Sequence, residues 1–134
     1  MKCLVDTNIF LEIILDQDQA QSAKEFLSRA EEHDLYISDY SLHSIGLLLF
    51  RRKQFDVFQE FLNDMIINGN VTVATLPADK LTAVGSAAKK YNLDFDDAYQ
   101  YAIAVNQELE IVSFDADFDR TDRCRLTPSA ISSS

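Results

Sequence analysis

Short apolar runs alternate along this chain with longer stretches in which apolar residues recur at helical spacing. Four runs of four to six residues, rich in β-branched or aromatic side chains, predict strands: KCLVD (2–6), LYIS (35–38), VTVATL (71–76) and EIVSF (110–114). Three are apolar almost throughout, as expected for strands covered on both faces. Five helical stripes lie between and beside them: Ala20, Ala23, Leu27 and Ala30; Leu42, Ile45 and Leu49; Phe58, Phe61, Leu62 and Met65; Leu81, Val84, Ala88 and Tyr91; and Ala98, Tyr101, Ala102 and Val105. Each stripe is expected to be a core face. Connections of this length imply parallel crossovers, so the expected fold is α/β: a three-layer sandwich with a mostly parallel central sheet and helices on both faces.

The 134 residues suit one domain, expected over 1–131 with a short Ser-rich tail at 132–134. No apolar stretch reaches the roughly 18 residues of a spanning helix, because IFLEIIL is cut by Glu12. Lys2 is followed by only three apolar residues, too few for a signal peptide. Cys3 and Cys124 make neither a metal spacing nor a disulfide framework, which makes a reducing cytoplasm the simplest compartment.

A net charge of −10 excludes general electrostatic binding of nucleic acid, which draws on surplus Lys and Arg. The cations that exist are clustered: Arg51, Arg52 and Lys53; Lys89 and Lys90; Arg120, Arg123 and Arg125. An acidic protein can still handle a polyanion where a bound cation reverses the local field.

Candidate chemistry begins where the first strand stops at an acid. Asp6 ends KCLVD, Asp115 follows EIVSF, and Asp97 sits in the first turn of the helix that feeds that last strand. In an open parallel sheet all three belong at the carboxyl edge, where ligands bind. Each also has an ordinary role: Asp6 and Asp115 in turns, Asp97 in a helix start that Asp94 would cap. A cluster of acids repels itself unless a cation occupies it. Mg²⁺ or Mn²⁺ suits such oxygen ligands, whereas zinc does not, since neither His33 nor His43 has a His or Cys partner at ligand spacing. Metal-assisted cleavage of a phosphate ester is the chemistry this pattern supports.

LVDTNIFLEII, LDFDDAYQYAIAV and IVSFDADFDR resemble, in this order and spacing, the acidic motifs of PIN domains, the ribonuclease fold of VapC-type toxins. The resemblance covers nearly the whole chain. It implies a metal-dependent ribonuclease acting on single-stranded RNA, with Asp6, Asp97 and Asp115 as catalytic metal-binding acids and Asn8 as the polar residue after the first. Thr7 and Ser113 would hold the carboxylates. It further implies a homodimer and a small antitoxin whose basic segment fills the acidic groove.

The sequence departs from the family in one place. A Glu is usual on the helix after the second strand, and in ISDYSLHSIGLLLF that register falls on Ser44, beside His43. His43 or Glu12 could supply the missing ligand; a surface role is the ordinary alternative for both. The vacancy also supports a second reading, a catalytically weak PIN fold acting as a protein- or RNA-interaction module. A haloacid-dehalogenase-like phosphatase wants an Asp where Asn8 stands, and a receiver domain wants an acid after a middle strand, where VTVATLP offers none.

Overall fold

A computed structural model describes residues 1–132. Its five strands are all parallel, in the order β3-β2-β1-β4-β5: β1 Lys2–Val5, β2 Asp34–Ser38, β3 Val71–Ala74, β4 Glu110–Val112 and β5 Arg125–Leu126. Seven helices flank them: α1 Thr7–Ile14, α2 Ala20–Ser28, α3 Asp39–Arg51, α4 Phe55–Phe61, α5 Thr82–Tyr91, α6 Phe95–Gln107 and α7 Pro128–Ser132. A π-helical stretch, Leu62–Ile67, continues α4.

Alternation along the strands divides the core in two. Leu4 and Ile111 face one way, onto Val84 and Ala87 of α5 and the Ala98, Ala102 and Ile103 side of α6. Cys3, Val5, Leu35, Ile37 and Val112 face the other, onto α1, α2, α3, α4 and α7. The three-layer sandwich is therefore the fold. α6 is nearly engulfed, with every residue from Asp97 to Ala104 buried.

Differences from the sequence reading have local causes. β5 was not expected: two residues inside an arginine-rich segment carry no alternation, and Arg125 is held at its place by Asp119, with Nε 3.2 Å from Oδ2. α1 carries its polar Asn8 and Glu12 one helical turn apart and buries Ile9 and Phe10 on another side. β3 stops at Ala74 and exposes Thr72 and Val73, as an edge strand does. Leu81 and Val105, expected in core faces, are 46% and 47% exposed. Ser132 belongs to α7, and residues 133–134 of the expected tail lie outside the described residues. Among the described residues no helix is long and apolar enough to cross a membrane. Both cysteines are free.

The strand order changes direction at β1. The chain moves outward from β1 to β2 and β3, then crosses back to place β4 on β1's other side. Val5 pairs with Val112, and the Asp6 N–H donates to the Val112 carbonyl at 2.9 Å, so the two strands end together. The crevice outside this switch point is where an open α/β sheet takes ligands.

Phe10 of α1 is 1% exposed and meets Phe61 edge-on, with ring centroids 5.4 Å apart. Phe10→Ala should cost about 3–5 kcal/mol of folding free energy in urea melts. A loss under about 1 kcal/mol would place the ring outside the core.

A carboxylate cavity at the strand switch point

Asp6, Asp97 and Asp115 line one cavity of about 190 Å³ at the carboxyl ends of β1 and β4, together with Thr7, Asn8, Leu11, Tyr40, Ser44 and Asp96. Larger hollows lie elsewhere and lack this convergence of acids. Asp6 is brought there as the residue that ends β1 and caps α1, its Oδ1 accepting from the Thr7 N–H at 2.7 Å. Asp97 arrives from the first turn of α6. Asp115 follows β4 and accepts at Oδ1 from the Asp117 N–H at 2.9 Å, opening a short 3-10 turn. The turn and cap roles that make these acids ordinary are therefore present, and the same geometry makes the acids converge. Asp94 stands at the N-cap of α6 but makes no side-chain capping bond.

Ser113 ties the two strand ends. Its hydroxyl donates to Asp6 Oδ2 at 2.6 Å while accepting from the Asp115 N–H at 2.8 Å and from Asn8 Nδ2 at 3.3 Å. Asn8 Oδ1 in turn accepts from the Phe114 N–H at 3.4 Å. Thr7 Oγ1 donates to Ser41 Oγ at 2.8 Å. Both oxygens of Asp6 are thus oriented before any ligand arrives.

Sequence reasoning missed several contributors. Gln100 is 1% exposed and donates from Nε2 to Asp6 Oδ1 at 2.8 Å. Its signal was its place three residues after Asp97, on the same helix face. Ser41, capped back onto Ser38, closes the network, and its signal was the Ser-x-x-Ser spacing at a helix start. Asp117 was also missed. Asp97, Asp115 and Asp117 each offer a carboxylate oxygen within 4.8 Å of the others, and Asp6 lies outside this tightest group. The DAD spacing across the turn was the clue.

The remaining candidates separate. Ser44 is on the cavity wall with Tyr40, one helical turn before it on α3. His43, one residue away on α3, is exposed and lines an apolar groove with Leu42, Gly46, Leu47, Phe50 and Phe58, so it does not replace the family's Glu. Glu12 accepts from the Gln19 N–H at 2.8 Å and serves the turn into α2.

Burial raises the Asp97 carboxyl to about 7, and the charges of Asp96, Asp115, Asp6 and Asp117 push it the same way. Burial raises Asp6 as well, against hydrogen bonds from Ser113, Gln100 and Thr7 that favour its charged form. An all-oxygen donor set whose own charges disfavour ionisation fits a hard divalent cation.

A PIN-domain family model matches residues 3–123. The chain belongs to the PIN-domain family. Among solved structures, PIN-fold relatives superpose closely at low identity. A toxin–antitoxin complex from Klebsiella pneumoniae aligns with TM-score 0.74 at 20% identity, covering 94% of this chain and 97% of that one. VapBC2 from Rickettsia felis, bound to a promoter DNA fragment, gives 0.75 at 14% identity with 95% and 98% covered. VapC20 from Mycobacterium tuberculosis, described as a sarcin–ricin loop cleaving toxin, gives 0.75 at 18% with 92% and 98% covered. No curated protein is similar enough in sequence to match. The fold of this PIN domain is thus that of VapC-type toxins.

The raised Asp97 carboxyl has a definite consequence for stability. Its folded pKa exceeds the ordinary 3.8, so its proton stabilises the fold fully at low pH, and that contribution is lost as pH rises through about 7. In EDTA, Asp97→Asn should therefore gain on the natural protein steadily from about pH 4 to about pH 7 and hold a constant lead above that. Thermal melts across that range check it; a constant difference throughout would remove the crowding argument.

Proposed function

We propose that this PIN domain, formed by residues 1–131, is a metal-dependent ribonuclease that hydrolyses phosphodiester bonds in single-stranded RNA, and the toxin of a toxin–antitoxin pair. The observation that carries the reading is the convergence of Asp6, Asp97, Asp115 and Asp117 at the β1/β4 switch point. Asp97, Asp115 and Asp117 would hold Mg²⁺ or Mn²⁺, with Asp6 beside them. When bound, such an ion supplies Lewis-acid charge to the phosphodiester and makes water a better nucleophile at neutral pH.

The protein's own part is arrangement. Ser113, Gln100 and the Thr7 N–H fix the plane of the Asp6 carboxylate, and the Asp117 N–H fixes that of Asp115. Arg120, 3.0 Å from Asp117 Oδ1, steadies the third carboxylate while leaving its charge facing Asp97 and Asp115. Asp97 is shed of its proton most readily once a cation offsets its neighbours. Asp117 also answers the vacancy at Ser44: an acid from the β4 loop approaches the same cluster from which the helix α3 acid is missing.

The toxin role draws support from the structural relatives, one a toxin–antitoxin complex and another a VapBC assembly. A small antitoxin with a basic segment would complement the −10 charge. A homodimer and a cytoplasmic location complete the reading by family resemblance. The alternative, an interaction module with weak or no catalysis, is favoured by one observation, the hydroxyl of Ser44 in place of a carboxylate on the cavity wall.

Mn²⁺ or Mg²⁺ at millimolar concentration should raise the melting temperature by several degrees, because it binds the folded state alone. Asp97→Asn should erase that increment. Ser113→Ala should lower metal affinity or cleavage by about 10–100-fold, the usual cost of losing a group that orients a ligand. Melting curves indifferent to both ions would remove the metal from the reading.

Ser44→Glu should strengthen Mn²⁺ binding and raise cleavage of single-stranded RNA above the natural level, while Ser44→Ala and His43→Ala change little. Gel assays of RNA cleavage with each variant decide between the readings. No cleavage by any of them, with either ion, would favour the interaction module.

A further inference from the structure

Three aromatic rings are aligned beside the carboxylate cavity. Phe95, the first residue of α6, immediately precedes Asp96 and Asp97, yet 63% of it is exposed. Its ring stacks on Tyr99 with centroids 6.0 Å apart and planes 15° from parallel. Tyr40 meets it edge-on at 6.4 Å and 65°, and Tyr40 itself lines the cavity. The stack has a fixed base. Tyr99 is buried, its hydroxyl donating to Asp39 Oδ1 at 2.8 Å and accepting from the Leu76 N–H at 3.3 Å.

A single exposed aromatic residue is ordinary on a protein surface. Here the exposed ring is held parallel to a buried one and is joined to the cavity by a third. We infer that Phe95 is a stacking platform for an unpaired nucleobase of the RNA strand whose phosphate enters the carboxylate cavity, an inference that rests on the ribonuclease reading.

An uncharged aromatic face suits a base where the cavity beside it repels the phosphate. Among the described residues lining the cavity none is basic, so the strand gains little from direct phosphate contacts there and is repelled by Asp6, Asp96, Asp97 and Asp115. Beside the cation and Arg120, an uncharged contact adds affinity that the acidic lining does not oppose, and stacking of a base on an aromatic face is one that every nucleotide can make once it is unpaired. Bases in a duplex have no free face, so the platform also selects single strands. Phe95 is in this account a positioning residue: it holds the strand and leaves the reacting atoms to the carboxylates.

The test measures binding of a short fluorescently labelled single-stranded RNA by anisotropy in Ca²⁺, and steady-state cleavage of the same RNA in Mn²⁺. Phe95→Ala and Phe95→Leu should weaken binding roughly five- to hundredfold, the range for one stacked base. KM should rise in step, with kcat within about twofold of the natural protein. Phe95→Trp should restore both, which a merely structural ring would not require, and melting curves of Phe95→Leu and Phe95→Trp verify that each variant is folded. RNA affinity unchanged in Phe95→Ala and Phe95→Leu would overturn the platform, leave any cleavage reading intact, and point to a docked protein segment instead. Phe95-dependent binding without cleavage would uphold the platform and discard the ribonuclease; no RNA binding in any metal would overturn both.

Discussion

The pairing of β1 with β4 in a register that ends both strands together is the constraint on which the cavity depends. Val5 opposite Val112 puts Asp6 beside Ser113, and the Ser113 hydroxyl then links the first carboxylate to the backbone of Asp115. A slip of one residue would turn Ser113 to the other face of the sheet and separate them. Apolar burial on both faces of β1 and β4 holds the register, since Leu4 and Ile111 belong to one core and Val5 and Val112 to the other.

That rigid frame sustains an unfavourable local arrangement. Carboxylates from β1, α6 and the β4 loop face one another in a partly dry cavity, and the outcome is a carboxyl at Asp97 that holds its proton to about pH 7. The burial energy of two cores and a dense set of hydrogen bonds around Asp6 offset the repulsion. The same economy explains why the hydrogen-bond network behind the cavity is built of Thr7, Asn8, Ser41, Ser113 and Gln100: small hydroxyls and amides can satisfy a carboxylate without neutralising it.

Much of this was legible in the residues. Strand runs such as KCLVD and EIVSF are short, apolar and ended by an acid, and in a parallel sheet that pattern alone sends Asp6 and Asp115 to one edge. Asp97 followed from the direction of α6. What was not legible depends on side chains meeting across the fold. Gln100 lies on an almost wholly buried helix, and its place three residues after Asp97 becomes informative only when its partner Asp6 is known. Asp117 reads as one more acid in a turn until the turn's 3-10 geometry brings it within reach of Asp97. β5 escaped notice because two residues cannot display a period.

The order of the strands also bears on how the protein folds. Asp6 and its partner Ser113 are 107 positions apart, and β4 is completed at its outer side by Arg125 and Leu126. A central strand whose neighbour lies so far along the chain is enclosed late, because contacts of such separation are slow to form. The carboxylates therefore stay apart and hydrated until late in folding, and their mutual repulsion is met only once the two cores that offset it have closed.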